Sequence, residues 1–435
     1  MQRAGRTPVR CLLSGWREEG KIVKRYVIIG GGPAGVSAAT VIRAKDPDGE
    51  ILLFDRDQDL PYYRTELDTY IGGSTSDADM PLHPSTYYQE QHIVLRLRAV
   101  VTKVQPPERW VELDGGERVS YDALLLAPGS FPLTVNCSGD RVSGVTTMRT
   151  WEDARRLIRR IEETKPPVVV VGGGVLGLIL AEGIRQRGRP VVLLEREPRL
   201  WAPVLDETSS ELIRQALAQA GIEVSLGEEV VEINGANGRV AGARTSKGRR
   251  LDTELVVVAI GVRPDIGFLQ GSGIRTDRGI LIDHEFRTNV REVFAAGDAA
   301  QGYDPVSGLF RVATNWNNAM EQGKLAGAFM AGGGDPYRGV ILSNSETFCG
   351  LRVSVLGLTQ LSAPGTVVLI GRDQDKGIYR KLVLCQDKLV GAILVGNTSG
   401  EGLMRRMIVE GKPTGPTEVK SKFLTGVVIE EILYS

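Results

Sequence analysis

Two sets of three glycines, each leading into a helix and then a strand that ends on an acid, are the residues of this sequence best placed to do chemistry. Gly30, Gly32 and Gly35 follow the apolar run Tyr26-Val27-Ile28-Ile29 and precede small residues that can start a helix. In such a strand–turn–helix the first glycine permits the turn and the second lets backbone approach a pyrophosphate. The third lets helix lie close on strand. Pro33 and Ala34 open the helix, where a missing amide donor costs little and the remaining free N–H groups attract phosphate. The strand over 50–54 then ends on Asp55, whose carboxylate can accept hydrogen bonds from a ribose. The device recurs at Gly172, Gly174 and Gly177, after four valines, and its second strand ends on Glu195. Two dinucleotide sites are therefore expected. Because a carboxylate repels a 2′-phosphate, Glu195 favours NAD(H) over NADP(H), with the adjacent Arg196 pulling the other way.

The elements that would carry these turns alternate strand and helix, which is an α/β pattern. Apolar runs over 121–126, 255–260 and 293–296 read as buried strands ending in glycine turns, the last at Gly297-Asp298. A helix is expected over 150–164, broken by Lys165-Pro166-Pro167. The stretch from Arg56 to Gly73 reads as a loop running into a short helix. There Arg56 could lie over an adenine and Arg64 could approach a flavin or its phosphates; the alternative for each is a solvated surface arginine. Gly332-Gly333-Gly334-Asp335-Pro336 marks a linker, and the strand-like runs beyond it, at 352–355, 366–370, 379–384 and 389–395, are spaced like a small antiparallel sheet.

At 435 residues the chain is long enough for two or three domains. Lys+Arg and Asp+Glu are both 53, so no net field favours nucleic acid or an anionic membrane. The four cysteines, Cys11, Cys137, Cys349 and Cys385, form no CxxC and indicate neither zinc nor a disulfide framework. No metal site is expected. No apolar run reaches bilayer length, and the balance suits a cytoplasmic protein. Residues 1–23 form a leader in which Arg3, Arg6, Arg10 and Arg17 precede any acid. It reads as a mis-assigned start, with Val23 the true initiator, or as a transit peptide.

In this order these features resemble the two-dinucleotide-binding-domain flavoproteins, the pyridine nucleotide disulfide oxidoreductase family. The resemblance runs from about Lys24 to Leu403 and rests on both glycine turns, Ala127-Pro128-Gly129, Gly261-Val262-Arg263-Pro264 and Ala296-Gly297-Asp298. It implies two Rossmann-like domains and a small α+β C-terminal interface domain. The FAD domain would be discontinuous, 24–130 and 264–331, around an NAD domain at 131–263, with the interface domain at 332–435. It also implies FAD at Gly30, Gly32, Pro33, Ala34, Gly35, Asp55, Arg56, Arg64, Val101, Ala127, Gly129 and Gly297, with Asp298 on the ribityl chain. NAD(H) would lie at Gly172, Gly174, Gly177, Glu195 and Gly261.

What is missing narrows the resemblance. No cysteine stands between Cys11 and Cys137 and no histidine after His284, so a thiol mechanism lacks its nucleophile and its base. The chain is then most similar to the NADH-dependent rubredoxin, ferredoxin and nitrite reductase flavoproteins, in which segments like Leu60 to Arg64 recur and the flavin is the whole redox centre. The expected activity is transfer of electrons from NADH through FAD to an iron–sulfur protein, a rubredoxin or an electron-transfer subunit, with no side-chain catalyst named and the oligomeric state open. The rivals are an NADH oxidase reducing oxygen and an assembly or sensing subunit of a larger complex. One departure concerns the nicotinamide: the family usually has glutamate two residues after the last glycine of the second turn, and this chain has Ile179. Arg405, Arg406, Lys412, Lys420 and Lys422 could together offer a basic face to an acidic acceptor; the alternative, which base rates favour, is ordinary solvated surface charge.

Overall fold

The computed structural model describes residues 23–434, so the leader up to residue 22, Cys11 included, lies outside the described residues. The chain begins with β1 (Arg25–Ile29), α1 (Pro33–Lys45), β2 (Glu50–Phe54), β3 (Ile93–Arg96) and β4 (Ala123–Leu126). A second series follows: β5 (Val145–Thr147), α2 (Trp151–Glu163), β6 (Val168–Val171), α3 (Val175–Gln186), β7 (Val191–Glu195), β8 (Ile222–Leu226) and β9 (Val256–Val258). The chain then returns with β10 (Val293–Ala295) and α4 (Trp316–Met330).

Each series makes a five-stranded, all-parallel sheet. The first has the order β10-β4-β1-β2-β3 and the second β8-β7-β6-β9-β5. Unbroken runs of valine, isoleucine and leucine suit strands covered on both faces, and Val27, Ile28, Leu53, Leu125, Val169, Val170 and Val257 are wholly buried. In both sheets the chain order reverses beside the central strand, between β1 and β4 and between β6 and β9. A crevice opens outside the carboxyl ends of the strands at such a point. Between β3 and β4 a three-stranded antiparallel sheet is inserted, and between β8 and β9 a second one, so the two units repeat one plan. The crossing segments Ser130–Pro132 and Val262–Pro264 pair antiparallel and bring the two crevices side by side. Helix α4 lies on α1 at backbone contact: a Cβ on Gly323 would stand 2.1 Å from the Ala34 carbonyl oxygen.

The C-terminal part is a six-stranded antiparallel sheet with two helices. Its strands are β11 (Ser343–Phe348), β12 (Leu351–Gly357), β13 (Thr366–Asp373), β14 (Ile378–Cys385), β15 (Lys388–Val395) and β16 (Val428–Tyr434), in the order β11-β12-β15-β14-β13-β16. Alternation sorts its side chains between two cores. Leu356, Leu382, Ala392 and Leu394 pack under α5 (Glu401–Glu410) and α6 (Gly415–Phe423), meeting Met404, Ile408, Val419 and Phe423. Val353, Val355, Tyr379, Ile393 and Val395 face the second parallel unit and join Leu178, Leu200 and Leu205. Tyr379 donates to Asp206 Oδ2 at 2.5 Å and the Cys349 amide to Glu182 Oε2 at 2.8 Å across that contact.

Candidate functional site

The two glycine turns are built alike down to their hydrogen bonds. The Gly30 amide donates to Phe54 O at 2.8 Å and the Gly172 amide to Leu194 O at 2.8 Å, so each turn is tied to the end of the neighbouring strand. Gly30 has φ +104° and Gly172 φ +113°, backbone that side chains rarely adopt. A Cβ at these positions would meet the carbonyl oxygens of Ala127 and Ala259, at 2.0 and 2.5 Å. Gly32 and Gly174, one step before each helix, have nothing within 4 Å of where a Cβ would be. Both line the cleft, so a ligand phosphate can reach the bare backbone and the free N–H groups of α1 or α3. Gly35 and Gly177 stand back from the cleft wall. Their Cβ positions lie 1.9 and 1.8 Å from the carbonyl oxygens of Gly30 and Gly172, so they seat helix on strand.

Each turn has its acid. Asp55 is only 7% exposed, and its Oδ1 accepts from the Asp57 amide at 3.2 Å. Burial, with Asp57 adding repulsion, pushes its carboxyl up to about 6 against the pull of Arg64 and Arg56. Glu195 takes the same post in the second unit: Oε2 accepts from the Gly173 amide at 2.5 Å and Oε1 from the Glu197 amide at 2.8 Å. Arg196, which could have offset it, is exposed and turned to Glu197 at 3.5 Å.

The crevices open into one cleft of about 2760 Å³. On the side of the first turn its wall includes Pro33, Ala34, Asp55, Arg56, Arg64, Val101, Ala127, Gly129, Gly297 and Asp298, and on the side of the second Glu195, Ile179 and Gly261. Asp298 sits in the turn Gly297–Ala299, where its Oδ2 accepts from Ser130 Oγ at 2.9 Å and from Arg149 Nη2 at 3.1 Å. Arg64 is held by Asp57 at 3.0 Å and donates to Arg149 O at 2.9 Å, so it is fixed in the cleft wall rather than solvated. Arg56 reaches Asp265 at 2.5 Å and Pro128 O at 3.0 Å, tying together the segments on either side of the crossing strands.

Three cleft residues were not anticipated from sequence. Arg149 precedes the Thr150–Asp153 capping box of α2, which fixes its direction, and nothing in its local pattern pointed to Asp298. Glu228 is 5% exposed with one carboxylate oxygen unpartnered, and Glu346 comes from the C-terminal sheet. Of the two readings of the C-terminal cations, the free basic face is not what the structure has. Arg405 pairs with Glu321, Arg406 and Lys412 with Glu410, Lys420 with Glu431 and Lys422 with Glu418, because acids lie in reach on the same and neighbouring elements. Cys349 is the free thiol against α3, and burial beside Glu182 pushes it up to about 12, which makes it a poor nucleophile. Among the described residues no helix is long and apolar enough to cross a membrane.

Residues 24–323 match the family model for pyridine nucleotide-disulphide oxidoreductases. The chain belongs to this family. Residues 348–412 match a second model, the rubredoxin NAD+ reductase C-terminal domain. The chain is 30% identical to a rubredoxin-NAD(+) reductase of Pseudomonas putida over 311 residues, 71% of this chain and 80% of that protein. It is 30% identical to the NADH-dependent phenylglyoxylate dehydrogenase subunit epsilon of Aromatoleum evansii over 406 residues, 92% of this chain and 94% of that one. Among solved structures, the ferredoxin reductase for the CYP199A2 system from Rhodopseudomonas palustris superposes with a TM-score of 0.84 at 26% identity, covering 91% of this chain and 96% of that one. The protein is an oxidoreductase of this family, with the α/β fold and two Rossmann-like units expected from its sequence.

Proposed function

We propose that this protein is an FAD-dependent NADH:acceptor oxidoreductase that delivers electrons to an iron–sulfur protein, a rubredoxin or a partner subunit. The observation that carries the reading is the pair of matched switch-point turns opening into one cleft, since two dinucleotides anchored there must bring their reactive halves together. The residues fit both groups. In the first site Gly32 leaves backbone bare for a pyrophosphate, Asp55 accepts from a ribose, and Asp298, held by Arg149 and Ser130, has oxygen lone pairs left for a hydroxylated chain. In the second, Gly174 and Glu195 repeat the arrangement, and Arg196, paired to Glu197, leaves Glu195 to oppose a 2′-phosphate. The FAD unit would then comprise 24–130 and 264–331, the NAD unit 131–263 and the interface unit 332–435. When bound, the flavin supplies the redox chemistry, taking electrons in pairs from NADH and passing them on singly. The protein's own part is to hold both rings in register, exclude water and set the electrostatics. A cytoplasmic location belongs to the same reading.

A second form, in which the chain is the electron-entry subunit of a larger enzyme, is favoured by the near full-length match to subunit epsilon. Both forms are tested by reducing the purified protein with NADH and following its reoxidation. A ferredoxin or rubredoxin that reoxidises it far faster than oxygen does supports the reading. Fast hydrogen peroxide production with no gain from a redox protein would instead make it an oxidase.

A further inference from the structure

Behind the main cleft lies a smaller one of about 390 Å³, lined among others by Asp68, Glu182, Glu346 and Arg352. Ile179 and Glu346 line both clefts. Ile179 lies on α3 a turn beyond its first residue, Val175, and β11, which carries Glu346, packs against that helix. The Glu346 carboxyl has no hydrogen-bond or ion-pair partner among the described residues, although it is only partly exposed. A half-buried carboxyl without a partner costs free energy unless a ligand supplies one. If adenosines lie toward Asp55 and Glu195, the reactive ends of the two dinucleotides meet in the part of the cleft shared by both turns. Val175, Leu176 and Ile179 offer no polar group to them there, so the hydrogen-bonding partner on that wall must come from another element.

We propose that Glu346 contacts the nicotinamide end of the second dinucleotide, accepting from its carboxamide N–H2 and favouring the positively charged, oxidised ring. The inference rests on the second cleft site being an NAD(H) site and adds a residue from the C-terminal sheet to it. Burial, with Asp68 adding like-charge repulsion, pushes Glu346 up to about 7. The charged groups around it are Asp68 from the helix Leu67–Gly72, Glu182 from α3 and Arg352 from β12. The ionised carboxylate attracts the cationic ring, so NAD+ affinity rises as pH increases through about 7. ADP-ribose, which keeps the adenosine and pyrophosphate but lacks the ring, shows no such step.

Calorimetric titration of the flavin-loaded protein with NAD+ and with ADP-ribose, between pH 6 and 8, separates the possibilities. For wild type the ratio of the two affinities should climb with pH. Glu346→Gln should remove the climb and weaken NAD+ by about fivefold at the upper pH, with ADP-ribose unchanged. Asp68→Asn should move the step to lower pH, because it removes the repulsion. If ADP-ribose binds wild type but Glu346→Gln leaves both the ratio and the step intact, Glu346 is not at the ring. If Asp68→Asn abolishes the step while Glu346→Gln keeps it, the titrating group is Asp68 and the proposal falls. If wild type binds neither ligand, the NAD(H) reading of the second turn falls with it.

Discussion

A Cβ on Gly30 would lie 2.0 Å from the carbonyl oxygen of Ala127, so the turn at the end of β1 exists only because that residue has no side chain. Gly30→Ala should therefore destabilise the fold itself, by roughly 2–3 kcal/mol from strain at φ +104° plus the clash. Gly32→Ala is the contrasting case. With nothing within 4 Å of its Cβ, it should cost less than about 1 kcal/mol in thermal melts of the flavin-free protein, yet release most of the flavin on purification. Equal loss of stability in both variants would show that the second glycine is a fold position and not an opening for phosphate.

Asp55 gives the first site a pH response. Its folded value of about 6 lies above the ordinary 3.8, because burial penalises the ionised form. This carboxyl therefore costs the ligand-free protein nothing below about pH 4, and a growing amount as pH rises to about 6. Ribose hydroxyls donate to the ionised form, so flavin affinity should fall as pH drops through about 6. Fluorescence of released flavin should show that step in wild type and lose it in Asp55→Asn. A step of the same size in the variant would assign it to another group.

Most of this framework was legible because it is local. The buried runs at β1, β6 and β9, the glycine spacings and the strand-end acids are set by residues adjacent in sequence, and the structure has them where the pattern put them. The parts that were not legible depend on residues far apart. Arg149 pairs with Asp298 because the crossing segments bring the units together, and Glu346 comes to line the same clefts as Ile179 because the C-terminal sheet packs on α3. The basic face fails for a partly local reason: Glu410 and Glu418 pair with Arg406, Lys412 and Lys422 from within four residues, while Glu321 and Glu431 reach Arg405 and Lys420 from other elements. Strands β11 and β16 and helices α5 and α6 were also absent from the sequence reading, since Ser343–Phe348 is polar and β16 carries two adjacent glutamates.

Glu195 should set nucleotide preference. Its carboxylate is already fixed by the amides of Gly173 and Glu197, so it faces a 2′ substituent without rearranging. Stopped-flow reduction should run faster with NADH than with NADPH, and Glu195→Gln should shrink that ratio by up to about tenfold, worth up to about 1.4 kcal/mol. NADPH ahead of NADH in wild type would mean that Arg196 leaves Glu197 and governs the site.

Arg405 and Arg406 are predicted to matter little. Exposed ion pairs such as theirs with Glu321 and Glu410 contribute about 0–1 kcal/mol, and their charge is already offset. Reversing both to glutamate should change electron delivery to a protein acceptor less than about twofold at low salt. A large, salt-sensitive slowing would place acceptor docking on α5 after all.

The most direct test of the central claim is anaerobic addition of NADH to the purified protein while its visible spectrum is recorded. The two matched turns and their shared cleft predict one non-covalent FAD per chain, bleached by about one equivalent of NADH. A chain that takes up no FAD on reconstitution, or whose bound FAD stays oxidised under excess NADH, would contradict it.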